Sequence, residues 1–243
     1  MQESAYKAMQ NMQDRHWWYK GRYEIIQAVL DQYLPGKNRS ILDFGSGFGG
    51  MIPLLRNYGS VDAVEPNTEA WSHMKRKSVR NIYTGISSMD NDSPKYTMVT
   101  MFDVIEHIED DIETARLVYT KALSEEGFFV VTVPAYPWMW GVHDEINQHY
   151  RRYTSERLRS VLHAAGFSIL RQTYFMSRLF PLAVAGRVIS KLKPESNPGL
   201  KIPPKVINSA LFSIFRGEAK ALQSKDYPFG LSLLCIAHKS SSK

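Results

Sequence analysis

The sequence predicts an α/β fold, a mostly parallel sheet of seven strands with helices on both faces. Three observations predict it. Short apolar runs alternate with helix-patterned segments between residues 40 and 175. A glycine-rich stretch, ILDFGSGFGG at 41–50, follows directly on the first run. After an interruption, a last apolar run returns as LSLLCIAHK at 231–239.

The runs SILDF (40–44), VDAVE (61–65), RNIYTG (80–85), YTMVTMF (96–102) and GFFVVTV (127–133) are too short for buried helices and read as strands. Helix patterns lie between them at 48–57, at 68–78 behind an Asn67 cap, and at 111–123. The last is led by Glu109, Asp110 and Asp111, acids that suit the positive end of a helix. TSERLRSVLHAAG is a further helix with Thr154 as cap and Gly166 as stop, and FSILRQTYF is the next strand. Residues 176–229 leave the rhythm and predict a helical insertion. Its two helices, about 177–191 and 204–222, are joined by KPESNPGLKIPP, whose prolines no helix crosses. Three parts are therefore expected: an N-terminal helical cap (1–37), a core (38–175 and 230–239) and the insertion (176–229).

Composition bounds the function. With 243 residues, 44% hydrophobic and 22% charged, the chain can bury one full core. A single cysteine, Cys235, excludes both an internal disulfide framework and a metal site of cysteines, and suits a reducing compartment. The N-terminal stretch lacks the basic-then-apolar order of a signal peptide, and no apolar run reaches the roughly 18 residues of a membrane span. The expected location is cytoplasmic. A net charge of +6 permits an anionic partner. No separate basic domain or nucleic-acid motif accompanies it, so nucleic acid is not the expected substrate.

Gly45, Gly47 and Gly50 match the G-x-G-x-x-G fingerprint of dinucleotide binding, which keeps a nicotinamide-dependent oxidoreductase as one reading. Glu65, 22 residues after Asp43, is placed to accept hydrogen bonds from ribose hydroxyls. Asp43 separates the candidate cofactors. Beside the first glycine its carboxylate would repel a pyrophosphate, whereas S-adenosylmethionine has no phosphate and carries an ammonium and a sulfonium.

Taken in order, ILDFGSGFGG, VDAVEPN, YTMVTMFDVIEHIED and LSEEGFFVVTVPA resemble the successive motifs of class I S-adenosylmethionine-dependent methyltransferases. The resemblance covers about residues 38–175 and implies a Rossmann-like fold. It assigns Asp43, Gly45, Ser46 and Gly47 to the methionine end of the cofactor, Glu65 to the ribose and Pro66 to the neighbourhood of the adenosine. Many relatives carry an Asp after the third strand; here Ile86 and Ser87 occupy that place and would meet the adenine. Met101 and Phe102 would line the opposite wall.

In FDVIEHIED, Asp103, Glu106 and His107 stand at i, i+3 and i+4. On a helix begun directly after the strand they would share one face and could chelate a divalent cation, which would acidify a bound hydroxyl. The pattern resembles the Glu-x-x-Glu-His site of small-RNA 2′-O-methyltransferases and a similar one in ubiquinone-biosynthesis O-methyltransferases. There a further histidine comes from the loop beyond the fifth strand. In PAYPWMWGVHDEINQHYRRYT that histidine would be His149 rather than His143. Without metal, Asp103 caps a helix, Glu106 and His107 orient substrate or each other, and His107 or His149 serves as general base.

Aromatic residues gather in HWWYKGRY (16–23) and YPWMW (136–140), where they can cover a cofactor or simply fill a core. The insertion carries SRLFPLAVAGRVISKLK, an apolar helix flanked by cations. Such a segment suits a lid, peripheral contact with a membrane, or a dimer interface. HYRRYT, AAGF and the closing PFGLSLLCIAHK resemble bacterial methyltransferases associated with glycan or natural-product biosynthesis. That resemblance implies O-methylation of a sugar or other small hydroxyl compound, with N-methylation of a small amine as the alternative. A methyltransferase-like binding subunit without catalysis is the reading from a third class.

Overall fold

In the computed structural model, which describes residues 12–89, 95–192 and 202–240, the seven apolar runs form one sheet. The strands are β1 (Arg39–Phe44), β2 (Gly59–Val64), β3 (Ile82–Tyr83), β4 (Tyr96–Phe102), β5 (Leu123–Pro134), β6 (Ser168–Phe175) and β7 (Ser232–His238). Their order is β3-β2-β1-β4-β5-β7-β6, and β3 to β5 join through parallel pairs. Gly127 accepts from the Lys239 amide and Leu231 from the Ala135 amide, so β7 runs antiparallel to β5. This is the mostly parallel, Rossmann-like sheet expected. Ile41, Leu42, Val99, Val130, Val131 and Leu234 are buried, as strands covered on both faces require.

The chain divides into two units. One holds the sheet: Pro35–Val133, Ser155–Gln172 and Leu234–Lys243. Its helices are α2 (Ile52–Leu55), α3 (Trp71–Arg76), α4 (Asp111–Leu117) and α6 (Ser155–Ala164). The Asn67 side chain accepts from the Glu69 amide and caps a 3-10 turn, Thr68–Ala70, that leads into α3. Asp110 caps α4 through the Glu113 amide. The Asp111 carboxylate accepts from Nη2 of Arg157 at 2.9 and 3.0 Å, which ties α6 to α4. Gly166, at φ 103, ends the α6 segment in the left-handed region, where a side chain would be strained.

Several elements are shorter than their sequence patterns. The helix expected over 48–57 survives only as α2, because the glycine loop takes the residues before it. After α4 the backbone widens into a π turn, Val118–Ala122, and β5 begins at Leu123, where a helix was expected to continue. The third strand shrinks to two residues.

The other unit comprises Met1–Leu34, Pro134–Thr154 and Thr173–Leu233. It contains α1 (Trp17–Tyr33), α5 (Val142–Ile146), α7 (Phe180–Leu192), α8 (Lys205–Arg216) and α9 (Ala219–Leu222). The His16 side chain caps α1 by accepting from the Trp18 amide. Against α1 lies α8. The Trp17 amide donates to Asn208 at 3.0 Å, Trp17 meets the Phe215 ring edge-on, and Lys20 sits 4.6 Å from the Phe212 ring centroid. Phe215 also stacks on Phe175 at an interplanar angle of 5°. The single helix expected over 204–222 breaks at Gly217 into α8 and α9. Most of the expected linker KPESNPGLKIPP, residues 193–201, lies outside the described residues, as does the start of the N-terminal cap.

Candidate functional site

The expected cofactor residues gather at the carboxyl ends of β1, β2, β3 and β4, the edge where open α/β sheets bind ligands. Beyond β1, Gly45, Gly47 and Gly49 have φ of 73°, 54° and 74°. These left-handed turns fold the loop back on itself and favour glycine. At Gly45 a side chain is excluded twice over, since a Cβ would also lie 2.5 Å from Val104. The third fingerprint glycine, Gly50, is not among the left-handed residues; Gly49 takes that conformation instead. The loop is thus built differently from the G-x-G-x-x-G reading of its spacing.

Asp43 is buried, and its carboxylate accepts from the Thr100 hydroxyl at 2.7 Å. The Ser46 hydroxyl donates to the Asp43 carbonyl at 2.7 Å and pins the turn. Glu65 is buried at the end of β2 and ties its own turn to the glycine loop. One carboxylate oxygen accepts from the Gly47 amide at 2.7 Å and the other from the Asn67 amide at 2.9 Å, while the Trp71 indole donates to the Glu65 carbonyl. Two buried carboxylates on adjacent strand ends suit a cationic ligand and oppose a pyrophosphate. Pro66 and Ser87 are exposed, Ile86 is buried on a 3-10 turn after β3, and Met101 and Phe102 are buried at the end of β4. Thr100 was not singled out by sequence; its signal is a hydroxyl opposite Asp43 in a buried apolar strand.

After β4 the chain departs from expectation. Asp103 adopts φ 57° and its amide donates to the Thr132 carbonyl at 3.0 Å, so no helix starts there. Only a 3-10 turn, Ile105–His107, follows. Asp103, Glu106 and His107 therefore do not share one α-helical face, and Val104 rather than Asp103 stands at the N-cap position of the turn. Glu106 is fully buried, His107 is half-buried, and the two offer metal-ligating atoms within 4.8 Å of each other. Among the described residues Asp103 does not join them. A non-glycine residue held at positive φ is a strained arrangement, and such residues concentrate at functional sites.

In the other unit, the loop after β5 builds a second polar centre around Asp144. Tyr136 is also left-handed, at φ 61°, and stacks on Tyr174. Asp144, on α5, is fully buried. Its carboxylate accepts from the Gly141 amide at 2.8 Å, the Arg152 Nε at 2.7 Å and the His149 Nδ1 at 2.9 Å. The Asp144 carbonyl accepts from the His149 amide as well. Burial alone would raise this carboxyl's pKa, yet the bonds from His149 and Arg152 hold it well below the usual carboxylate range. An ionised carboxylate only accepts, so Nδ1 of His149 donates to it. The His149 side chain is 7% exposed. His143 instead contacts Asn147.

A family model described as a methyltransferase domain matches residues 17–172. No curated protein matches the chain. Among solved structures, the chain is similar to one in the complex between the Haloferax volcanii Trm112 methyltransferase activator and a methyltransferase. That match has TM-score 0.61 and 15% identity, covering 98% of this chain and 95% of the other. A S-adenosylmethionine-dependent methyltransferase of Thermotoga maritima matches with TM-score 0.59 and 14% identity, over 98% and 100% of the two chains. One from Archaeoglobus fulgidus matches at 0.54 and 17%, over 89% and 94%. At these identities the likeness is one of fold.

Proposed function

The chain belongs to the methyltransferase-domain family and is a class I S-adenosylmethionine-dependent methyltransferase, and within that family we propose that it methylates a hydroxyl group of a small metabolite, such as a sugar or glycan precursor. One observation carries the choice of a hydroxyl: the buried Asp144 holds the His149 imidazole in place through Nδ1, the arrangement of an oriented general base. An alcohol must lose its proton as it attacks, whereas an amine with a lone pair needs no such base.

When bound, S-adenosylmethionine supplies an electrophilic methyl group on a sulfonium. In this reading Asp43, Gly45, Ser46 and Gly47 hold its methionine end, Glu65 binds the ribose, and Pro66, Ile86, Ser87, Met101 and Phe102 surround the adenosine. His149 accepts the hydroxyl proton at Nε2, and Asp144 stabilises the imidazolium that results. Glu106 and His107 orient the acceptor. Most of the acceleration comes from alignment of the attacking oxygen with the methyl carbon. The test is transfer of labelled methyl from S-adenosylmethionine to matched alcohols and amines. Transfer to amines alone, unaffected by His149→Gln, would sink the hydroxyl reading.

A second reading rests on the spacing of Glu106 and His107. In it the pair hold a divalent cation that lowers the pKa of the hydroxyl. Loss of transfer on exhaustive chelation, with recovery on added Mn²⁺ or Zn²⁺, would select this reading over the first.

A further inference from the structure

An unusual amount of apolar side chain on the α7 and α8 helices faces solvent. None of the described residues of α7 up to Ile189 is buried. Leu182 is 63% exposed, Ile189 62% and Val188 55%. Leu182, Ala185 and Ile189 follow the i, i+3, i+7 spacing of one helical stripe, with Pro181 and Val188 beside it. The inner face of α8 is committed to α1 through Asn208, Phe212 and Phe215. That packing turns Val206, 81% exposed, and Ile207, Ala210 and Ile214 outward. At the start of α7, Phe180 sits in an aromatic cluster with Tyr136, Trp138 and Phe229, and Trp138 and Phe229 are both exposed. Trp and Tyr are the residues enriched where water meets lipid.

Charge decides what would cover this surface. The described side chains of α7 and α8 include the cations Arg187, Lys205 and Arg216 and no acid. A symmetric dimer through the same patch would oppose these cations to one another at close range. An anionic surface satisfies both features, because apolar side chains enter the acyl boundary while lysines and arginines stay at the phosphates. No helix among the described residues is long and apolar enough to cross a membrane.

We propose that the outward faces of α7 and α8, with Trp138 and Phe229, form a docking surface for an anionic lipid membrane, on which the protein lies peripherally. The partner is the lipid surface itself, and the inference does not depend on the chemistry assigned to His149.

The full chain is centrifuged with vesicles of phosphatidylcholine alone and of phosphatidylcholine containing phosphatidylglycerol. It sediments with the anionic vesicles only, and raising the salt releases it. Leu182→Asp with Ile189→Asp, and separately Val206→Asp with Ile207→Asp, weaken that partition by about tenfold or more. These positions are exposed, so circular dichroism, melting temperature and methyl transfer to a water-soluble acceptor stay as in the parent. Absence of binding to anionic vesicles overturns the proposal, as does binding that the substitutions leave unchanged. Self-association in light scattering that the same substitutions abolish, without vesicle binding, assigns the surface to a second copy instead. Loss of methyl transfer with vesicle binding intact would bear on the function proposed above and not on this surface.

Discussion

Asp144 holds His149 by both backbone and side chain: its carbonyl accepts from the His149 amide and its carboxylate from Nδ1, each at 2.9 Å. One acid thereby fixes the ring's position and its tautomer together. Removing the imidazole, as in His149→Ala, should lower kcat by about 10²–10⁴-fold, the usual worth of a positioned base. Asp144→Asn keeps the shape but loses the ionised acceptor, and should lower kcat by at least about tenfold with little change in the KM for S-adenosylmethionine. Steady-state kinetics separates the two effects. A change confined to KM in both variants would mean that the pair acts in binding alone.

The same carboxylate makes stability depend on pH in a definite direction. Its folded pKa is depressed, so its contribution to stability is fully present above the ordinary Asp range and is lost as pH falls through the folded value. The parent and Asp144→Asn should therefore differ by a constant amount in melting temperature from neutral pH down to about pH 5. Below about pH 4 the gap should narrow as the parent's carboxylate takes up its proton. A gap that widens on acidification would show that Asp144 is not ionised in the folded protein.

For the cofactor end, substitutions distinguish conformation from charge. Gly45→Ala places a methyl group at φ 73° and 2.5 Å from Val104, and should destabilise the protein by about 1–3 kcal/mol while abolishing binding of S-adenosylhomocysteine. Asp43→Asn alters only charge and should weaken S-adenosylmethionine, measured by calorimetry, more than the product that lacks the sulfonium. NAD(H) should not compete. Competitive binding of NAD(H) would restore the dinucleotide reading of the loop.

Much of this was legible in the sequence because the sheet is a local signal. Seven apolar runs mark the seven strands of the described residues, and the acids Asp43 and Glu65 at the ends of β1 and β2 mark the ligand edge. What failed was the continuation of elements. VYTKA continues the helical pattern of 111–123, but the need to reach β5 opens the backbone into a π turn there. Asp103 lies at the right spacing for a shared face with Glu106 and His107, yet its left-handed φ follows from the bond of its amide to Thr132, a residue 29 positions away. The Asp144 centre escaped notice for the opposite reason. Gly141, Asp144, His149 and Arg152 are close in sequence, but their convergence depends on a turn that no periodicity announces.

Cys235 yields a prediction that separates chemistry from packing. The thiol lies within β7 and is fully buried, and burial pushes its pKa up to about 12. Only the thiolate attacks electrophiles, so at pH 8 the folded protein should resist a thiol reagent that reacts at once with the unfolded chain. Labelling across a denaturant series should then follow the unfolding transition itself. With one cysteine in the chain the signal is unambiguous. Rapid stoichiometric labelling under native conditions would show that β7 opens locally at low cost, which a strand between β5 and β6 should not do. Cys235→Ser should leave methyl transfer unchanged and lower the melting temperature, because it buries a hydroxyl where the chain packs a soft apolar group.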